Sequence, residues 1–140
     1  MKQLYITTGG LARSLSEIAD EQLKPYGITT RYALILIDLA DKPGLGQSDL
    51  CNDHHLAASS MTRFIDKLEK RGWVERLREG RTVSVQLTEE GEKVTEPIQR
   101  IVQKIGDEIE SLAGDKFAAT LNRMNHFLLE RLADQESSEE

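Results

Sequence analysis

The sequence predicts a mainly α-helical fold carrying one small β-hairpin, and three observations predict it. Apolar residues recur at helical spacing through most of the 140 residues. One stretch, from Trp73 to Leu87, switches to the period-2 alternation of strands. The composition, 39% hydrophobic and 30% charged, is that of a soluble globular chain, and no apolar run approaches the ~20 residues that span a bilayer.

The first helix is expected from about Leu4 to Leu23, with Leu11, Leu15, Ile18, Ala19 and Leu23 near helical spacing. Its Gly9-Gly10 pair either frays it or lets another helix approach closely. Pro25 and Gly27 end the segment. Thr29, whose hydroxyl can accept from an orphan N–H, is the expected N-cap of a second helix reaching about Ala40. Ala33-Leu34-Ile35-Leu36-Ile37 is apolar on nearly every side, so this helix should be central. Lys42-Pro43-Gly44 breaks it. A short third helix is expected over Gln47–His54, behind a weakly capping Gly46. A fourth should run from about Ala57 to Arg71 and stop at Gly72, which suits a left-handed C-cap.

Trp73–Arg78 and Thr82–Leu87 read as two strands joined by a tight Glu79-Gly80-Arg81 connection. Thr88 then caps a long helix to about Leu112, with Glu89 and Glu90 in its positive first turn and a bend expected at Pro97. Gly114-Asp115 separates it from a last helix, Lys116 to about Leu132, followed by an acidic tail, Gln135 to Glu140, expected to fray. The order of helices followed by a hairpin is that of a winged helix-turn-helix; that the outer helices are dimerisation arms is what the family resemblance given below implies. The expected division is an N-terminal dimerisation helix (1–28), a winged head (29–88) and C-terminal dimerisation helices (89–140).

The net charge of −6 hides an uneven distribution. Residues 1–53 balance at −2 and residues 89–140 at −7, but residues 54–88 carry +3, through Arg63, Lys67, Lys70, Arg71, Arg76, Arg78 and Arg81. A local basic patch is what phosphate binding requires, and whole-chain charge is a poor guide to it. On the fourth helix Leu56, Met61, Ile65 and Leu68 form an inward stripe, while Ser59, Thr62, Arg63 and Asp66 follow i, i+3, i+4, i+7 on another face. In this arrangement the second helix of the pair enters the major groove of double-stranded DNA with its N-terminal residues against the bases. The candidate groove and phosphate residues are therefore Gln47, Ser48, Ala58, Ser59, Ser60, Thr62, Arg63 and Lys67. Arg63 is the candidate for a bidentate contact to guanine. Arg76, Arg78 and Arg81 are the candidate wing contacts, with Arg78 and Arg81 flanking a tip that can enter the minor groove.

The unbroken run from Leu50 to Arg76 resembles the helix-turn-helix core of the MarR family of bacterial regulators. There a serine-rich helix start, Thr-Arg, a Leu-Glu pair and Arg-Gly-hydrophobic-Val follow in this order, here as Ser59-Ser60, Thr62-Arg63, Leu68-Glu69 and Arg71-Gly72-Trp73-Val74. Leu87-Thr88-Glu89-Glu90-Gly91 is similar to the family's signature at the end of the wing, and Leu23–Thr29 to its approach to the second helix. Two positions depart. Glu79-Gly80-Arg81 stands where the family usually carries Asp-x-Arg on a longer tip, so Arg81 inherits the minor-groove role. Gly46 stands where a hydroxyl cap is usual.

The resemblance implies a homodimeric transcriptional regulator, a repressor on a pseudo-palindromic operator, released by a small-molecule or stress signal. It also implies a crevice for a small aromatic effector between arms and head, with Arg13, Tyr26 and Tyr32 as its polar candidates. The alternatives are a metal- or redox-sensing winged-helix regulator of another family, or a winged helix used for protein contacts. Cys51 is the only cysteine and His54-His55 lack metal-ligand spacing, so neither a disulfide nor a metal site is expected. No cofactor is expected. No phosphate loop or nucleophile–base set points to an enzyme. The amino terminus lacks a secretion-signal pattern, so the cytoplasm is the expected compartment.

Overall fold

The computed structural model describes residues 1–138. The elements in chain order are α1 (Lys2–Leu23), α2 (Thr30–Asp41), β1 (Leu45–Gly46), α3 (Gln47–His54), α4 (Ala58–Lys70), β2 (Val74–Glu79), β3 (Thr82–Leu87), α5 (Glu89–Ala113) and α6 (Asp115–Ser137). The mainly α fold with a β-hairpin wing is therefore present. Two compact units divide the chain after Gln103, so α5 begins in the first unit and ends in the second.

The first unit is built around α2. Ala33, Ile35, Leu36 and Leu39 are essentially inaccessible to solvent, as are Leu23 of α1, Leu50 of α3, Met61, Ile65 and Leu68 of α4, Val85 of β3 and Ile98 of α5. The stripe read on α4 is thus its buried face, apart from the half-buried Leu56 that precedes the helix. Burying each of the larger side chains among these contributes about 1.5–3 kcal/mol, which outweighs the weak propensities of the short helices.

Several local expectations change. Helix α1 starts at Lys2 and continues through Gly9-Gly10; what lies nearest these glycines is the Arg13 side chain, not another helix. A 3-10 turn over Lys24–Tyr26, closed by Gly27 at φ +64°, replaces the simple break at Pro25. Thr29 occupies the N-cap of α2 but makes no side-chain cap. The cap comes from α1: Asp20 Oδ1 accepts from both the Thr30 amide and the Thr30 hydroxyl, each at 2.6 Å. This bond ties two helices as well as closing one. Helix α6 extends to Ser137 rather than stopping near Leu132. The end of the tail expected to fray, 139–140, lies outside the described residues.

The sheet has a third strand that local pattern did not reveal. β3 is central, paired antiparallel to β2 along its length and to β1 through Leu45↔Val85 and Gly46↔Ser84. The wing is closed by a two-residue turn, since Glu79 pairs with Thr82. Gly80 takes φ +64° while Arg81 keeps a negative φ, the signs of a type II′ turn, whose twist matches paired strands.

Both helices of the helix-turn-helix end in Schellman geometry. At α4, the Trp73 amide donates to Leu68 O and the Gly72 amide to Glu69 O, with Gly72 at φ +77°. At α3, the Leu56 amide donates to Cys51 O and the His55 amide to Asn52 O. Here the left-handed position is filled by His55, the only non-glycine residue with positive φ among those described. A left-handed L-residue costs about 1–2 kcal/mol, part of which a glycine returns as unfolded-chain entropy. His55→Gly is accordingly expected to stabilise the protein by about 0.5–1 kcal/mol, read as a raised thermal midpoint by circular dichroism. An unchanged or lower midpoint would show that the imidazole compensates the strain.

In the second unit α6 has no buried residue. Phe117, Met124, Phe127, Leu128, Leu129 and Leu132 are all exposed.

Candidate nucleic-acid interface

Helix α4, the candidate reading helix, opens without a side-chain cap: Ala57 is its N-cap and carries no acceptor. The Ser60 and Met61 amides donate back to Ala57 O, and the two amides before them have no such bond. Unsatisfied amides at a helix start, with the positive end of the dipole, form a receptive position for a phosphate. Ala58 and Ser59 beside them are small and exposed.

Between α3, the first half of α4 and the wing lies a concave face of about 820 Å³. Of the residues expected to contact DNA, Gln47, Ser48, Ala58, Thr62, Arg76, Arg78 and Arg81 line it. Gln47 Nε2 donates to Thr62 Oγ1 at 2.8 Å, so the two helices are joined across the motif by two of these candidates. Ser59 and Arg63 lie exposed on α4, outside the lining, and Ser60 is half-buried. Arg63, Arg78 and Arg81 have no carboxylate partner among the described residues, so three guanidinium charges are left for an external anion.

Arg76 differs. Its guanidinium donates to Asp66 Oδ1 at 2.6 Å, to Glu69 Oε2 at 3.4 Å and to Thr62 O at 3.3 Å, and its side chain is only 20% exposed. It fastens the wing strand to α4 and neutralises the carboxylates on that helix. Arg71, which local pattern placed only at the helix end, donates to Tyr26 O at 2.7 Å and Gly27 O at 2.9 Å. Its guanidinium also stacks on Trp73, 4.7 Å from the ring centroid. No sequence signal links Arg71 to a turn more than forty residues earlier.

Two further side chains hold the frame. His54 Nε2 is 2.7 Å from Asp38 Oδ2, with the imidazole 6% exposed, which anchors α3 to α2. Thr88 Oγ1 accepts from the Gly91 amide at 3.0 Å, the cap expected for α5, and its hydroxyl donates to Gly72 O.

The candidate effector residues are not brought together. Tyr32 packs edge-on against Phe64, with centroids 4.8 Å apart, and lines a cleft with Gly27, Ile28, Lys67, Leu68, Lys70 and Arg71. Tyr26 is half-buried in the 3-10 turn, and Arg13 lies exposed on α1 beside Gly9; neither lines that cleft. Lys67, expected at phosphate, extends 5.9 Å from the Tyr32 ring centroid. Cys51 is half-buried and lines the concave face. Among the described residues no group of three or more His, Cys, Asp or Glu could hold a metal ion, and no helix is long and apolar enough to cross a membrane.

Comparison with known proteins places this geometry. The family model described as the MarR family matches residues 28–80. The chain is 34% identical over 101 residues to the HTH-type transcriptional regulator YwoH of Bacillus subtilis, covering 70% of this chain and 73% of that protein. It is 36% identical over 95 residues to the HTH-type transcriptional regulator FarR of Neisseria gonorrhoeae, covering 66% and 65%. A similar regulator of Bacillus cereus is matched over only 55% of its length. Among solved structures, a point mutant of Escherichia coli MarR complexed with operator DNA superposes with a TM-score of 0.76 at 25% identity, covering 93% of each chain. NadR in complex with 4-hydroxyphenylacetate superposes with a TM-score of 0.76 at 30% identity, covering 89% of this chain and 91% of NadR.

Proposed function

The chain belongs to the MarR family of helix-turn-helix transcriptional regulators, and on that premise we propose that it acts as a homodimeric repressor on a pseudo-palindromic operator, released by a small-molecule or stress signal. The observation that carries this reading is the concave face itself, where the unpaired Arg78 and Arg81 converge with the open start of α4. In the proposed division, residues 29–88 read DNA, while 1–28 and 89–140 hold the dimer. Two exposed apolar faces support the dimer. One is Leu4, Ile6, Leu11, Leu15 and Ile18 of α1, and the other is the row on α6. A helix pair this small cannot bury such a row by itself. A small aromatic effector is supported by the likeness to NadR, which was solved with one.

Within the DNA contact, the uncapped start of α4 and Ser59 take phosphates, Gln47, Ser48, Ala58, Ser60 and Thr62 border the groove, and Arg63 reads a base. Lys67, Arg78 and Arg81 add backbone and minor-groove contacts. Selection of bound duplexes from a random library should enrich an inverted repeat with half-sites about one helical turn, roughly 34 Å, apart. Sedimentation should show two chains per duplex. Enrichment of no inverted repeat would exclude the operator-specific reading. On the selected site, Arg63→Ala is expected to lose about 1–3 kcal/mol of discrimination at one base pair per half-site. Equal weakening on every duplex would make Arg63 a phosphate contact instead.

A further inference from the structure

We infer that Arg71 is a positioning residue for DNA reading. It fixes the angle between α1 and the junction of α4 with the wing, and so sets the separation of the two α4 helices in a dimer. The inference rests on the homodimer reading above and deepens it. Its parts all lie within one compact unit, residues 1–103.

Three segments meet at this guanidinium. Nη1 donates to Tyr26 O at 2.7 Å and Nη2 to Gly27 O at 2.9 Å, so one fork takes both carbonyls at the end of the 3-10 turn that follows α1. Its plane stacks on Trp73, the residue before β2, at 4.7 Å from the ring centroid. Trp73 is itself fastened, its amide donating to Leu68 O and its carbonyl accepting from the Thr88 amide. Arg71 is the C-cap of α4. Two parallel donors and a flat face are what arginine offers and lysine lacks. The turn is shaped to receive them: Gly27 takes φ +64°, and a Cβ there would lie 2.9 Å from Arg71 Nη2.

Asp20 ties α1 to the start of α2, and Arg71 ties the turn between those helices to the end of α4. That end is the far one. Arg71 lies about 20 Å along the axis from the uncapped start of α4. A tilt of about 10° at the joint moves the helix start by about 3.5 Å, close to the rise of one base pair. In a dimer held through the exposed apolar face of α1, two-fold symmetry applies the same tilt to both heads. Half-site spacing is then the quantity that Arg71 controls, although its own donors are engaged away from DNA.

The test compares the full chain with Arg71→Lys and Arg71→Gln, at temperatures where melting and sedimentation show each protein folded and dimeric. The duplexes are the selected inverted repeat, the same repeat with its half-sites one base pair closer or farther apart, and a single half-site. Both variants should lose about tenfold on the selected spacing. On the single half-site they should match the parent chain, and on the altered spacings they should bind no worse than it does. The slope of log affinity against log salt should not change. Without DNA, the Gly27 amide, which donates to Lys24 O, should exchange its hydrogen faster in both variants.

If Arg71→Lys binds like the parent while Arg71→Gln loses about 0.9 of salt slope per half-site, Arg71 is a phosphate contact and the inference fails. Equal loss on every duplex, the single half-site included, overturns the spacing role, as does unchanged affinity for the selected spacing. Unchanged exchange at Gly27 shows that the fork does not hold the turn and overturns the positioning role. A selection that yields no inverted repeat sinks the operator reading, and the spacing role with it. Exchange is measured without DNA, so failure of the fork is seen separately.

Discussion

Gly91→Ala is expected to destabilise the winged head by about 3 kcal/mol or more, lowering the thermal midpoint by roughly 10 °C and abolishing the proposed DNA binding at warm growth temperatures. A Cβ at Gly91 would lie 1.9 Å from Trp73 O and 2.8 Å from Trp73 C. Both are backbone atoms, so no side-chain rotation relieves the clash. The Trp73 carbonyl cannot retreat, because it accepts from the Thr88 amide at 3.0 Å, and Thr88 in turn caps α5 through the Gly91 amide. The start of β2, the end of β3 and the start of α5 therefore meet at one methyl-free position. The alanine variant relaxes only by separating the wing from α5. Denaturant unfolding of both proteins checks this, and a loss below 1 kcal/mol would mean that the start of α5 shifts without cost to the wing.

Arg76→Met is expected to weaken operator binding by about 100-fold while leaving the slope of affinity against salt nearly unchanged. The reason lies in what Arg76 neutralises. With its guanidinium gone, the carboxylates of Asp66 and Glu69 on α4 are left unpaired beside the face proposed to take phosphates. The effect on folding should be small, about 1 kcal/mol or less, because Asp66 and Glu69 are 58% and 46% exposed and solvent screens the pairs. Adding Asp66→Asn to Arg76→Met should restore at least tenfold, a coupling that a double-mutant cycle isolates. If Arg76 instead reaches phosphate, the salt slope falls by about 0.9 per contact and Asp66→Asn restores nothing.

The helix-turn-helix was legible because its determinants are local. The i, i+4 stripe of α4 is set by a single helix, and Gly72 ends it by the left-handed conformation that glycine adopts freely. The Leu87-Thr88-Glu89-Glu90-Gly91 pattern was legible as a signature, and the structure supplies its cause: Thr88 caps, and Gly91 leaves room for Trp73 O. What pattern could not show depends on distant partners. Leu45-Gly46 is too short to alternate, and it is a strand only because Val85 and Ser84 lie beside it. Thr29 looked like a cap, yet Asp20 from α1 holds the helix start through Thr30. Arg76 resembled any other arginine of the wing until its carboxylate partners, ten and seven residues back, were seen to face it. Arg13, Tyr26 and Tyr32 are expected at one crevice from the resemblance, whereas only Tyr32 of the three lines a cleft, which it shares with Lys67, Lys70 and Arg71.

The central position of β3 has a mechanical consequence. With β1 on one edge at Val85 and Ser84, and β2 on the other throughout, the hairpin is a cantilever clamped at its root. Near the clamp β3 is hydrogen-bonded along both edges, so its amide hydrogens should exchange with solvent more slowly than those toward the tip. Beyond the clamp, from Val83 to the Gly80 turn, each strand has one neighbour, and motion is confined to the last few residues. The distance between α4 and the wing root is thereby a fixed gauge. In the proposed complex a duplex gripped by α4 would meet the wing at a set offset, with only the reach of Arg81 beyond it adjustable.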